Sequence, residues 1–151
     1  MKNRELYLSI GSNVGDRSVN LMHAIKLLDR ALGSRYKRLS SIITTPAWGF
    51  DGDEFMNLAV VYETSMEAED ILALCKSVEK EMGRVDEGVK LDSYGKRIYK
   101  NRIIDIDIIL LGHEIVNTRK LIIPHPKMKE RDFVMIPLKE IISDEYVCGI
   151  D

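Results

Sequence analysis

Ile103-Ile104-Asp105-Ile106-Asp107-Ile108-Ile109-Leu110-Leu111 is the clearest strand in the chain. Alternate side chains of a strand share a face. Ile104, Ile106, Ile108 and Leu110 therefore predict one apolar face. Asp105 and Asp107 fall together on the other, about 6.6 Å apart, with Ile103, Ile109 and Leu111 as apolar neighbours. Two like charges in such a setting repel, and each costs several kcal/mol to desolvate. They need a positive partner. An oxygen-only pair on a rigid element suits Mg²⁺ or Mn²⁺, and two ions about 3.5–4 Å apart could share it. Arg or Lys on a neighbouring strand, or a wetted sheet face, would also satisfy the pair.

Upstream, Arg84 to Asn101 has no apolar period. With Arg102 it holds six basic residues (Arg84, Lys90, Lys96, Arg97, Lys100, Arg102) against Asp86, Glu87 and Asp92, a local +3 in a chain of net charge −2. A long mobile loop is expected, since loops of this length are usually functional or disordered. A dicarboxylate beside these cations has the charge layout of phosphoryl transfer. No Walker phosphate loop, complete dinucleotide fingerprint or protein-kinase motif occurs.

Further out, the spacing predicts a helix ending near Met82, opened by a Thr64-x-x-Glu67 capping box and closed by Gly83. Ile71, Leu74, Cys75, Val78 and Met82 form its stripe. Strands are expected at Leu6–Ile10, Leu39–Thr45 and Phe55–Glu63, with a helix at Arg17–Leu32 capped by Gly33. Leu121–Ile123 reads as a short strand. Phe133–Leu138 and Glu140–Ile142 are apolar without an assigned element. Strand, helix, strand, strand, helix, strand predicts an α+β, ferredoxin-like two-layer sandwich: a mainly antiparallel sheet with helices packed on one face.

The 151 residues fit one domain, 1–151, with 45% hydrophobic and 30% charged residues. No apolar run is long enough for a membrane span, and the charged N-terminus does not read as a signal peptide. Cys75 and Cys148 form no CxxC pair, so neither zinc nor a disulfide framework is indicated. A cytoplasmic protein without nucleic-acid or membrane partners is expected.

The chain resembles the 6-hydroxymethyl-7,8-dihydropterin pyrophosphokinase family of the folate pathway. The matching residues run nearly end to end. They are Ile10-Gly11-Ser12-Asn13, Thr45-Pro46-Ala47-Trp48-Gly49, Phe55-Met56-Asn57, Glu79 with Gly83-Arg84, Arg102-Ile103-Ile104-Asp105-Ile106-Asp107, and Pro124-His125-Pro126 with Met128, Arg131 and Phe133. The resemblance implies transfer of the diphosphoryl group of ATP, as co-substrate, to the hydroxymethyl oxygen of a reduced pterin, with release of AMP. It implies that Asp105 and Asp107 hold two Mg²⁺ ions, with Arg102 also in the catalytic set. Glu79, Arg84, Arg102, His125 and Arg131 match ATP-binding positions. Thr45, Pro46, Trp48, Phe55, Asn57 and Phe133 match the pterin pocket, the two phenylalanines as stacking rings and Asn57 as the amide that reads the pterin edge. A monomer acting on ATP and pterin is expected.

Lys100-Asn101 replaces the Gly-Pro many relatives place before the Arg of the metal strand, and Asp86 stands where some carry a second basic residue. Which of Lys96, Arg97 and Lys100 clamps phosphate is therefore left open. Two other readings stand beside this one: a ferredoxin-like nucleotide- or RNA-binding module, and a metal-dependent phosphohydrolase.

Overall fold

The computed structural model describes residues 2–45, 54–83, 90–91, 97–98 and 102–147. Strand β1 (Arg4–Ser12) pairs antiparallel with β4 (Phe55–Thr64), from Arg4 opposite Thr64 to Ser12 opposite Met56. The dicarboxylate strand, β7 (Asp105–Leu111), pairs antiparallel on the other side of β1. Two short strands, β2 (Arg38–Leu39) and β3 (Ile43–Thr45), line the outer side of β4. The order across the sheet is β2 and β3, then β4, β1 and β7, so β7 is an edge. Helix α1 (Arg17–Leu32) follows β1 and α2 (Ala68–Glu81) follows β4. This is the expected ferredoxin-like order.

The helices begin and end for local reasons. The Asp16 carboxylate accepts the Val19 N–H at 3.1 Å and caps α1, while Gly33 ends it in the left-handed region at φ 74°. The capping box predicted at Thr64 does not form. Thr64 still belongs to β4, opposite Arg4, and its Oγ1 accepts the Met66 N–H instead. The chain needs three further residues to turn, and α2 starts after Glu67.

The single strand predicted over Leu39–Thr45 is also interrupted. The Ser40 hydroxyl accepts the Ala59 N–H at 2.8 Å, standing in for a backbone carbonyl. The register then advances by one residue between Leu39–Val60 and Ile43–Asn57.

Alternation along β1 and β4 sorts the core. Leu6, Leu8, Ile10, Leu58, Val60 and Tyr62 face α1 and α2 and form the larger cluster. Tyr7, Ala59 and Val61 face the other way. Helix α3 (Asp132–Ile141), which the sequence reading leaves unassigned, packs on this second face through Val134, Met135, Leu138 and Ile141. Helices thus lie on both faces, with α3 added to the expected pair.

Alternation fails at one place in β7. Leu8 opposes Ile108 but Tyr7 opposes Leu110, so Ile109 is an extra residue. The bulge swaps the faces beyond it. Leu110 joins Ile109 in the second cluster, and Leu111 enters the first. The face predicted for Leu110 and Leu111 is thereby corrected. Ile103, predicted beside the carboxylates, also packs against the first cluster.

The basic stretch contains β5 (Lys90–Leu91) paired with β6 (Arg97–Ile98), an antiparallel ribbon where a structureless loop was expected. A second ribbon, β8 (Val116–Asn117) with β9 (Ile122–Ile123), follows β7. A short helix, α4 (Asp144–Val147), ends the described chain. Among the described residues no helix is long and apolar enough to cross a membrane.

Candidate active site

The second face of the sheet is divided. Arg38 Nε donates to the Ile141 carbonyl and Ser41 Oγ to Glu140, which ties the C-terminal end of α3 to β2. Ten residues of helix, about 15 Å, then carry its N-terminal end toward β3, which it also contacts. Residues at the Ser12 end of β1 and the Asp105 end of β7 lie at this end of the sheet.

Asp105 opposes Gly11 and Asp107 opposes Ser9, and both carboxylates are half-buried. Neither β1 neighbour is basic, so the cross-strand ion pair considered from the sequence is not what this register supplies. Both carboxylates line a cavity of about 330 Å³ between α2, β7 and the segment leading to His125. Glu79, Cys75 and Lys76 of α2 line it too, with Arg119, Lys120 and His125 from the other side. The cavity therefore mixes three carboxylates with three cations, the composition expected where metal and phosphate meet.

Glu79 comes from an amphipathic helix, yet it is 6% exposed. The Ile106 N–H donates to its Oε2 at 2.8 Å. Ile106 lies between the two aspartates on the open edge of β7, and its N–H points away from β1. The helix thus satisfies a sheet-edge donor at the centre of the dicarboxylate strand. Burial, reinforced by the negative charges of Glu79 and Asp107, pushes the Cys75 thiol up to about 12. Cys75 is accordingly an uncharged wall at neutral pH.

His125 stands between two prolines, as the sequence showed, and its N–H donates to the Ile109 carbonyl at the bulge. Lys127 N–H donates to His125 Nδ1 at 3.2 Å. Burial, then the Arg131 charge, lowers its pKa below the ordinary histidine value, with Asp105 opposing. A neutral ring accepting at Nδ1 carries its proton on Nε2.

The residues that the resemblance matches to a pterin pocket are also positioned by register. Thr45 opposes Phe55 and Ile43 opposes Asn57 on β3–β4, so Thr45, Phe55 and Asn57 share the second face. Asn57 Nδ2 donates to Thr45 Oγ1 at 3.0 Å. Asn57, Gly11 and Asp105 stand in one cross-strand row. At the usual strand spacing this places Asn57 and Asp105 about 10 Å apart. Phe133 packs against the second-face cluster, and the Arg131 guanidinium lies 5.5 Å from its ring centre. Arg102 is pinned by its backbone: its N–H donates to Asn13 Oδ1 at 2.7 Å, and its carbonyl accepts the Asn13 N–H.

Asp105, Asp107, Glu79 and His125 thus share one cavity, and Thr45, Phe55 and Asn57 cluster on β3 and β4, across β1 from it. Pro46, Trp48 and Arg84 lie outside the described residues, as do Lys96 and Lys100. The sequence reading missed Lys76, Arg119 and Lys120. Isolated lysines on a helix and a basic pair at a turn carry no pattern until folding brings them to one cavity.

The profile of the 7,8-dihydro-6-hydroxymethylpterin-pyrophosphokinase (HPPK) family matches residues 7–143. The chain belongs to this family. It is an ATP-dependent diphosphotransferase of folate biosynthesis. The 2-amino-4-hydroxy-6-hydroxymethyldihydropteridine pyrophosphokinase of Bacillus subtilis (strain 168) is 38% identical over 140 residues, 92% of this chain and 78% of that protein. The enzyme of that name from Aquifex aeolicus (strain VF5) is 36% identical over 137 residues, 90% of this chain and 79% of the relative. The mitochondrial folate synthesis bifunctional protein of Pisum sativum is 37% identical over 143 residues, 94% of this chain but 26% of the pea protein. A crystal structure of HPPK-DHPS in complex with substrates superposes with a TM-score of 0.68 at 16% identity. It covers 99% of this chain, which spans 42% of that one, and it supports the fold. Membership in the pyrophosphokinase family decides among the three functional readings left by the sequence.

Proposed function

We propose that this pyrophosphokinase transfers the β,γ-diphosphoryl group of ATP to the hydroxymethyl oxygen of 6-hydroxymethyl-7,8-dihydropterin and releases AMP. The observation that carries this reading is the row Asn57, Gly11, Asp105. An amide suited to a pterin edge and a carboxylate suited to a metal stand on one face, about 10 Å apart.

Asp105 and Asp107 fit Mg²⁺ as an all-oxygen pair on one face of a rigid strand. Two such ions, when bound there, neutralise the triphosphate and favour the deprotonated form of a nearby hydroxyl. The chain's own groups do the positioning. Lys76, Arg119 and Lys120 line the same cavity and offer charge-assisted donors to phosphate oxygens. Arg102, Arg131 and Arg84 act on the ATP side of the site in this reading, and Glu79 on its α2 wall. His125 donates from Nε2 to a phosphate or ribose oxygen. Phe55 and Phe133 hold the flat pterin, Asn57 and Thr45 read its edge, and Pro46 and Trp48 complete the pocket.

The hydroxymethyl oxygen then attacks the β-phosphorus in line. One oxygen–phosphorus bond forms, the bridge to the α-phosphate breaks, AMP leaves with the bridging oxygen, and the hydroxyl proton goes to solvent. Orientation and charge neutralisation supply most of the rate.

The test is incubation with ATP, Mg²⁺ and the reduced pterin, followed by chromatography of the nucleotides. AMP is expected only with pterin, and is lost with EDTA. Asp107→Ala is expected to slow its formation roughly 10²–10³-fold, the scale of losing a major electrostatic stabiliser. Folded protein that binds ATP but makes no AMP would overturn the acceptor. Phosphate or diphosphate released without pterin would point to hydrolysis.

A further inference from the structure

Gly11 is the middle residue of the row, with Asn57 on one side and Asp105 on the other. It is not a glycine for the sake of its backbone, since it is not among the glycines with positive φ. It is a glycine for space. A Cβ at this position would stand 2.5 Å from Asn57 Oδ1, and 3.6 Å from both Asn57 Cγ and Phe55 Cδ1. The first distance is far inside van der Waals contact. The amide has little room to retreat, because it is 3% exposed and its Nδ2 donates to Thr45 Oγ1 at 3.0 Å.

We infer that Gly11 is a specificity-determining residue: its bare Cα lets the Asn57 carboxamide lie across β1, and forms the floor over which the acceptor's arm reaches the carboxylates. This rests on the acceptor assignment above. Any side chain at position 11 must push Asn57 Oδ1 out of place, which strains or breaks the Thr45 bond. This disturbs groups assigned to the pterin, while Lys76, Arg119 and Lys120 line the cavity on the far side of β7 from Asn57. The expected damage is therefore selective for the acceptor. Asp105 is also Gly11's cross-strand neighbour, so the path from ring pocket to dicarboxylate crosses this residue.

The test uses Gly11→Ala, Asn57→Ala and the double variant in the full chain. The readouts are KM for pterin, KM for ATP, and the Asn57 side-chain amide signal in ¹H–¹⁵N spectra, identified by its loss in Asn57→Ala. Gly11→Ala is expected to raise the pterin KM about tenfold, the scale of one misplaced hydrogen bond. The ATP KM should stay within about twofold, and the amide signal should shift. Adding Gly11→Ala to Asn57→Ala should change the pterin KM by less than about twofold, because the two substitutions act through one contact.

An unchanged pterin KM with an unmoved amide signal would overturn the inference, as would additive effects in the double variant. If Gly11→Ala does not fold, recovery of folding in the double variant supports the same steric cause, and failure of both overturns it. The amide signal is read without substrate. A wild-type chain that makes no AMP would overturn the acceptor reading and the specificity role with it, whereas an unmoved signal in an active enzyme overturns only the role of Gly11.

Discussion

At Glu79 one carboxylate joins two elements. The Ile106 N–H on the edge of β7 has no further strand to receive it, and α2 provides the acceptor at 2.8 Å. Glu79→Ala leaves that donor buried without this partner, at a cost of about 1–3 kcal/mol. Urea denaturation at pH 7 should show the loss, and Glu79→Gln, which keeps an acceptor oxygen, should lose less. Equal stability of all three proteins would show that Ile106 is satisfied without α2. Single residues are legible in the sequence where period 2 governs: the shared face of Asp105 and Asp107 follows from strand geometry alone. They are not legible where a contact is made across the fold, as with Lys76, Lys120 and the Asn13 clamp on Arg102.

At the scale of elements, α3 is held to the sheet by a buried polar group that needed tertiary structure to be seen. Glu5 is 5% exposed and lies on the second face of β1. Burial raises its pKa, but hydrogen bonds from Ser143 Oγ, Tyr7 Oη and Lys37 Nζ and the Arg38 charge outweigh that and hold it at about 2. Arg38 also donates to the Ile141 carbonyl, so the cluster clamps the last turn of α3. The folded pKa lies below the ordinary value of 4.5. The native state therefore binds this proton less readily than the unfolded chain. The contribution is fully present above pH 4.5 and is lost as pH falls toward 2. It amounts to about 3 kcal/mol. Glu5→Gln should therefore be less stable than the parent at pH 7, with the gap closing between pH 4.5 and 2 in denaturation curves. A gap independent of pH would refute the linkage. The α3 segment escaped assignment because Phe133 to Leu138 is apolar almost throughout and contains Pro137. A continuous apolar run does not distinguish a buried helix from a strand.

In the molecule as a whole, one sheet face is split between packing and the candidate site. One end lies under α3, and the other presents Asn57, Gly11 and Asp105. A nucleotide that binds only the folded state adds stability in proportion to its occupancy. A non-hydrolysable ATP analogue at about a hundred times its Kd should raise stability by about 2.7 kcal/mol when Mg²⁺ is present. Asp105→Asn should lose most of the Mg²⁺-dependent part of that shift in thermal melts. A shift that does not depend on Mg²⁺ in either protein would remove the carboxylate pair from nucleotide binding.

Elements whose cause is local are written in the order of the residues. These are the α1 boundaries set by Asp16 and Gly33, the alternating strand of the two aspartates, and the element order that implies the ferredoxin-like sheet. The motifs along the chain also pointed to the family. Features that depend on register and on contacts between distant residues emerge with the folded sheet. A single extra residue at Ile109 reversed the faces of Leu110 and Leu111, because side-chain direction changes with every residue of a strand. The candidate site lies where Gly11 meets Asn57, 46 positions away, and Asp105, 94 positions away. No local pattern encodes such a meeting. It exists because antiparallel pairing brings three separate strands into one row, and because the middle strand carries no side chain there.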